Sequence, residues 1–233
     1  MRKVKTLTEA TYHSLLESLM AGAYPPGQRL IISELGSVLG VSATPIREAL
    51  AQLNSRGFVD HHSRRGYTVA SALSSDQILQ IMETRLLLEP KLAFEAATAN
   101  TPALLSRLSV TLDEMQSAQS LNRDDSHFVQ CWLADEHFHE LIAAAAGKPY
   151  MERAYLSLGG QVQRFRILAR SGCRQAQAAV EEHRAIFQEL QSGDSNGAYV
   201  AMKHHLTQAS ARAVEDARAI EGAAALIGES GVA

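Results

Sequence analysis

The chain has 233 residues, 46% of them apolar and 20% charged, with a formal net charge of -3, which describes a folded globular protein with room for two modest domains and not a disordered one. The charge is uneven: residues 1–75 hold 8 Lys/Arg against 5 Asp/Glu, or +3, and residues 76–233 hold 14 against 20, or -6, so a phosphate-binding surface is expected in the first third. Two cysteines, Cys131 and Cys173, exclude a disulfide scaffold or a cysteine metal knuckle, and no stretch is apolar enough to span a bilayer. The opening Met1-Arg2-Lys3-Val4-Lys5 leads into a polar helical segment and not an apolar leader, so a soluble cytoplasmic protein is expected. A first helix is expected over residues 8–22, with Leu15, Leu16, Leu19 and Met20 on its apolar face and Gly22 as its stop. Tyr24-Pro25-Pro26-Gly27 is a turn.

Next comes Ser33-Glu34-Leu35-Gly36-Ser37-Val38-Leu39, a short helix that Ser33 is placed to cap, and Gly40-Val41 makes a tight corner. A third helix follows, with Thr44 as its expected N-cap and Pro45 at its first position. Ile46, Ala49, Leu50 and Leu53 form its buried stripe, and Gly57 ends it. Arg47 points away from that stripe. Helix, glycine turn, helix is the helix-turn-helix pattern. Phe58–His62 and Tyr67–Ala70 then read as two extended runs around the basic turn Ser63-Arg64-Arg65-Gly66, a wing suited to phosphates or the minor groove.

These residues make a specific resemblance. Pro26-Gly27-Gln28-Arg29-Leu30, Val41–Leu50, Leu53, Gly57-Phe58-Val59 and Arg65–Val69 resemble the winged helix-turn-helix of the GntR family of bacterial transcription regulators. The resemblance covers about residues 8–70 and implies binding to double-stranded operator DNA. Ser42, Thr44, Arg47 and Gln52 are the expected base or phosphate contacts, with Arg64, Arg65 and Gly66 at the wing. Two departures stand out. Ala43 replaces an arginine common in the family, and Gly36 replaces the usual alanine, at an expected cost of ~1 kcal/mol in helix propensity.

Ser71–Ser75 reads as a linker, and beyond it no strand pattern is found. Helical stretches are expected at about 76–99, 102–119, 125–146, 149–170, 174–192 and 195–220, with a frayed tail over 221–233. Short connections between six helices imply an antiparallel all-α bundle, so the whole chain is expected to be mainly α. Several polar residues fall on the apolar faces of these helices. Asp135 and His139 lie four apart on one face, His183 sits on the stripe of Val180, Ile186 and Leu190, and His205 on that of Ala198, Met202 and Ala209. Three imidazoles and a carboxylate suit a divalent metal ion such as Zn, Ni or Mn, yet periodicity alone equally allows hydrogen-bonded core histidines. Arg85 suits either a clamp on an anion or an ion pair with Glu89 or Glu182. Arg164 and Arg166 are weaker pocket candidates, while Trp132, Phe94, Phe128 and Phe165 read as packing.

A second resemblance covers about residues 76–216. Asp135–His139 with Leu141 and Ala146-Gly147, Glu182–Ile186 with Leu190 and Gly193-Asp194, and Ala198, Met202 and His205-Leu206 resemble the FadR-type C-terminal (FCD) domain found behind GntR heads. In that domain's metal-binding branch the matching positions are the ligands, which implies a metal held by Asp135, His139, His183 and His205. It also implies a small carboxylate effector, often a sugar acid or another organic acid, and makes Arg85 its candidate clamp. The expected function is therefore a homodimeric, effector-controlled transcription regulator that represses until its ligand binds. Two rivals follow from the same residues: a metal-dependent enzyme with a DNA-binding head, and a sensor of the metal itself.

Overall fold

The computed structural model describes residues 6–71, 73–120, 125–158 and 176–230. It is mainly helical and divides into two compact units, one containing residues 1–72 and the other residues 73–159 and 169–233.

The first unit opens with α1 (Leu7–Met20), which a Thr6/Glu9 capping box starts. It continues through β1 (Arg29–Leu30), α2 (Ile32–Leu39), α3 (Ala43–Ser55), β2 (Val59–His62) and β3 (Gly66–Val69). Leu15 and Leu16 of α1 and Ile46, Leu50 and Leu53 of α3 are fully buried, so the stripes read from the sequence are the core. The three strands run antiparallel in the order β1-β3-β2. Strand β1 had no sequence signal, because two residues show no alternation; pairing of Arg29 with Thr68 and Leu30 with Tyr67 creates it.

Helix starts differ from expectation. Helix α2 begins at Ile32 after Ile31, and Ser33 does not cap it. Helix α3 begins at Ala43, with Ser42 as the extended residue before it; Thr44 and Pro45 lie inside the first turn. Proline is tolerated there because the first helical N–H groups have no intrahelical acceptor in any case. At the other end Gly57, at φ +74°, makes the expected stop. Phe58 N–H donates to Leu53 O at 2.9 Å and Gly57 N–H to Asn54 O at 3.0 Å, the paired bonds of a Schellman motif.

Gly36 is not simply the cost that its helix propensity suggests. A Cβ there would lie 2.9 Å from the Val41 main-chain oxygen, so glycine lets the helix-turn-helix corner close. Gly36→Ala is expected to lower stability by up to about 2 kcal/mol, because crowding of backbone at ~1–3 kcal/mol outweighs the ~1 kcal/mol gain in propensity. Urea denaturation of the two proteins checks this; a more stable alanine variant would contradict it.

The second unit holds α4 (Ser75–Ala97), α5 (Pro102–Ser120), α6 (Asp125–Ala145), α7 (helical over the described residues 149–158), α8 (Ala176–Ser192) and α9 (Ser195–Ser230). Ser74 and Gln77 form the capping box that starts α4. Helix α4 packs along α9, α5 against α6 and α8, and α8 against α9. Leu92, Ala143, Ala146 and Tyr155 are one buried cluster joining α4, α6 and α7. Helix α9 continues to Ser230, through the residues where fraying is expected, and alanine-rich sequence without proline favours helix there. Phe165, Arg164, Arg166 and Cys173, the expected helix beyond residue 158, and the side chain of Phe128 lie outside the described residues.

Candidate functional site

The first candidate surface belongs to the helix-turn-helix unit. Ser42, Thr44, Arg47 and Gln52 are all exposed on α3 and its leading turn, while Ile46, Ala49, Leu50 and Leu53 fix the opposite face in the core. Ser42 makes no capping hydrogen bond, which leaves its hydroxyl for another partner. Glu48, the acidic neighbour of Arg47, accepts a hydrogen bond from Thr8 Oγ1 at 2.6 Å, which ties it back to α1. Asn54 Oδ1 accepts from His61 N–H at 3.0 Å and anchors the wing to the end of α3. Arg64 and Arg65 are exposed at the wing tip. Gly66 follows them at φ +78° in register with His62, a left-handed conformation that closes the turn and favours glycine.

The second candidate site lies inside the bundle. Asp135 and His139 from α6, His183 from α8 and His205 from α9 are all buried, and one ligand atom of each lies within 4.8 Å of the others. His183 Nε2 is 3.2 Å from both His139 Nε2 and Asp135 Oδ1. Two of the imidazoles are held from behind by a hydrogen bond from Nδ1: His183 donates to Ala179 O at 2.6 Å and His205 to Glu182 Oε2 at 2.8 Å. His139 Nδ1 lies 2.6 Å from Glu89 Oε2, a charge contact that lacks hydrogen-bond alignment. The two hydrogen bonds select the tautomer that leaves Nε2 of His183 and His205 as a lone pair facing inward. Burial pushes the His139 ring below its ordinary pKa even against the pull of Glu89. Burial and the neighbouring His183 push His205 down to about 3. Neutral imidazoles are what a cation requires.

This donor set fits a divalent ion. His205 Nε2 is buried with no hydrogen-bond partner, an uncompensated cost unless something else engages it. His139 Nε2 and His183 Nε2 lie 3.2 Å apart, within reach of a ring-to-ring hydrogen bond when His139 carries its proton on Nε2 and of a shared cation when it does not. Metal–nitrogen bonds of ~2.0–2.1 Å in tetrahedral geometry put neighbouring ligands about 3.3 Å apart, close to that spacing.

Two carboxylates complete the surroundings. Glu89 is buried and takes the Arg85 guanidinium through Nε on Oε1 and Nη2 on Oε2, the latter at 3.3 Å. Burial would raise the Glu89 carboxyl, but Arg85 and His139 hold it down to about 2. Burial alone would lower Arg85; Glu89 overrides this and raises it. Glu182 accepts from Arg212 Nη1 and Nη2, each at 2.8 Å. Hydrogen bonds from Arg212 and His205 outweigh burial and bring Glu182 down to about 2. Of the two ion pairs open to Arg85 in the sequence, the structure makes the one with Glu89. The contacts of Glu89 with His139 and of Glu182 with His205, and any role for Arg212, were not read from the sequence. Their signal was available: Glu89 falls one turn after Arg85, and Arg212 two turns after His205. His137 and His204 are exposed and take no part, and Trp132 is buried as packing.

Comparison with known proteins agrees with this architecture. The family model described as bacterial regulatory proteins, gntR family, matches residues 7–69, and that of the FCD domain matches residues 80–208. The uncharacterized HTH-type transcriptional regulator YcbG of Bacillus subtilis is 29% identical over 214 residues, covering 87% of this chain and 88% of its own. The HTH-type transcriptional repressor RspR of Escherichia coli is 24% identical over 210 residues, covering 90% of each. The solved structure of E. coli McbR/YncC superposes with a TM-score of 0.70 at 23% identity, over 91% of this chain and 99% of that one. These relatives are transcriptional regulators, not enzymes, and no described helix is long and apolar enough to cross a membrane. With both halves matched, this chain belongs to the GntR family and is a DNA-binding transcriptional regulator with an FCD domain behind its helix-turn-helix.

Proposed function

We propose that this regulator is a homodimeric repressor whose bundle holds one divalent metal ion through Asp135, His139, His183 and His205, and that a small carboxylate metabolite binds at that ion and relieves repression. The observation that carries the reading is the buried convergence of three imidazoles, two of them anchored through Nδ1, and one carboxylate, with His205 Nε2 lacking any other partner. When bound, an ion that takes five or six ligands would supply, beyond these four, positions that carboxylate oxygens can fill. The chain's own residues orient the ligand imidazoles and exclude water from the site. Two heads would read half-sites whose spacing the dimer sets, consistent with the modest positive charge of a single head. The effector shifts DNA affinity only by its differential affinity for the two arrangements of the heads.

Elemental analysis of the purified protein tests the metal, with one equivalent per chain expected. A panel of organic acids is then added to the complex of the protein with a duplex selected from a random pool. Release of DNA by at least one acid, dependent on the metal, is expected. Metal-loaded protein whose DNA binding no acid changes, or release that persists undiminished in metal-free protein, would overturn the reading.

On the DNA side, Arg47→Ala is expected to weaken binding to the selected duplex by ~1–3 kcal/mol. Replacing Arg64 and Arg65 together is expected to lower the slope of log affinity against log salt by about 2, one for each lost phosphate contact. Fluorescence anisotropy across a salt series measures both, and an unchanged slope would remove the wing from the interface.

A further inference from the structure

We propose that Arg85 and Arg212 are positioning residues for the metal centre, each acting through one carboxylate on one ligand imidazole: Arg85 through Glu89 on His139, and Arg212 through Glu182 on His205. The inference rests on the metal reading above. It goes beyond it by assigning the arginine expected to clamp an effector to the support of a ligand.

The two chains of contact share one layout, although they come from different helices. In each, a glutamate Oε2 lies beside an imidazole Nδ1: Glu182 accepts a hydrogen bond from His205 at 2.8 Å, and Glu89 lies 2.6 Å from His139 as a charge contact without hydrogen-bond alignment. In each, the guanidinium spans both oxygens of that same carboxylate. A planar fork on a planar carboxylate fixes the carboxylate's rotation, and so the direction of the oxygen that holds the ring. A lone glutamate would be free to turn. His183 has no such chain, and needs none, because its Nδ1 donates to the main-chain oxygen of Ala179, which the helix already fixes. The outer partners are thus present where a ring is held by a rotatable side chain, and absent where it is held by backbone.

The arrangement also argues against Arg85 as the effector's clamp. Its Nε and Nη2 are engaged by Glu89, Nη1 lies 4.0 Å from Met82 Sδ, and the side chain is buried. It approaches the metal cluster from behind a ligand, on the side away from the inward-facing Nε2 atoms.

The test uses the full chain, stripped of metal by chelation and titrated with Zn²⁺ against a chromophoric chelator. Arg85→Lys and Arg212→Lys keep the charge but lose the fork, and each is expected to weaken Zn²⁺ binding 10- to 100-fold. Because Arg85 acts only through Glu89, the combination of Arg85→Lys with Glu89→Gln is expected to bind no more weakly than Glu89→Gln alone. A second readout needs no metal. Ring ¹⁵N shifts of the metal-free protein should show the His205 ring losing its uniform Nδ1–H form in Arg212→Lys, while that of His183 stays as it is. Arg212, which is only partly buried, supplies a variant whose folding is less at risk, with circular dichroism as the control. Affinities within threefold of the parent for a folded Arg212→Lys, or effects of Arg85→Lys and Glu89→Gln that multiply, would overturn the proposal. If the parent itself takes up no Zn²⁺, the metal reading fails first and the proposal falls with it.

Discussion

His183→Ala is expected to abolish the metal-dependent rise in melting temperature that the parent protein shows. His183 is central to the cluster: its Nε2 lies 3.2 Å from both His139 Nε2 and Asp135 Oδ1, so its removal breaks two contacts of the donor set. A ligand that binds only the folded state at one hundred times its dissociation constant stabilises by ~2.7 kcal/mol. For a chain of this size that is a rise of roughly 5–10 °C. Differential scanning with and without Zn²⁺ should show it in the parent and not in the variant. Metal-free, the variant loses the packing of one buried ring and its Nδ1 bond to Ala179. Its metal-free melting temperature should therefore fall as a buried large-to-small change of ~3–5 kcal/mol would give. An equal metal-induced rise in both proteins would place the ion elsewhere.

The outcome bears on how the site was legible before any coordinates. Asp135 and His139 could be placed on one helical face by their spacing alone, and His183 and His205 each sat on a stripe otherwise made of hydrophobes. What periodicity could not supply was convergence between helices. Three faces, each correct, meet at one point only if the helices cross at particular heights, and that is a property of the bundle. The support behind the ligands was still less visible. Glu89 and Glu182 could be named in sequence only as alternative partners of Arg85, and Arg212 looks like the solvated charges that any helix carries; their contacts with the ligand imidazoles appear only in the bond geometry. The same limit applied in the first unit. The stripe of α3 and the stop at Gly57 were read directly, since both are local. Strand β1 and the need for glycine at position 36 arise from contacts with Thr68, Tyr67 and Val41, and each lay beyond what local patterns carry.

Arg85→Met is expected to destabilise the bundle by ~3–5 kcal/mol, the usual penalty for leaving one member of a buried ion pair alone. Glu89 and Arg85 are each only 3% exposed, so neither water nor a described cation can replace the guanidinium. Joint replacement should behave differently. Arg85→Met with Glu89→Leu removes both charges and keeps most of the volume, and buried pairs exchanged for hydrophobes are often neutral or stabilising. The double variant should recover most of the lost stability in urea denaturation while its Zn²⁺ affinity stays low, because His139 has lost its anchor. Acid adds a second signature. The folded Glu89 carboxyl sits at about 2 against an ordinary 4.5, so its contribution is complete above about pH 4.5 and is lost as pH falls towards about 2. At ~1.4 kcal/mol per pH unit, that is ~3 kcal/mol of acid sensitivity in the parent which the double variant should not show. If the double variant instead stays as unstable as Arg85→Met, then His139 depends on a charged partner for folding as well as for ligation. The ion pair would then be part of the core that builds the site, and not only a support placed behind it.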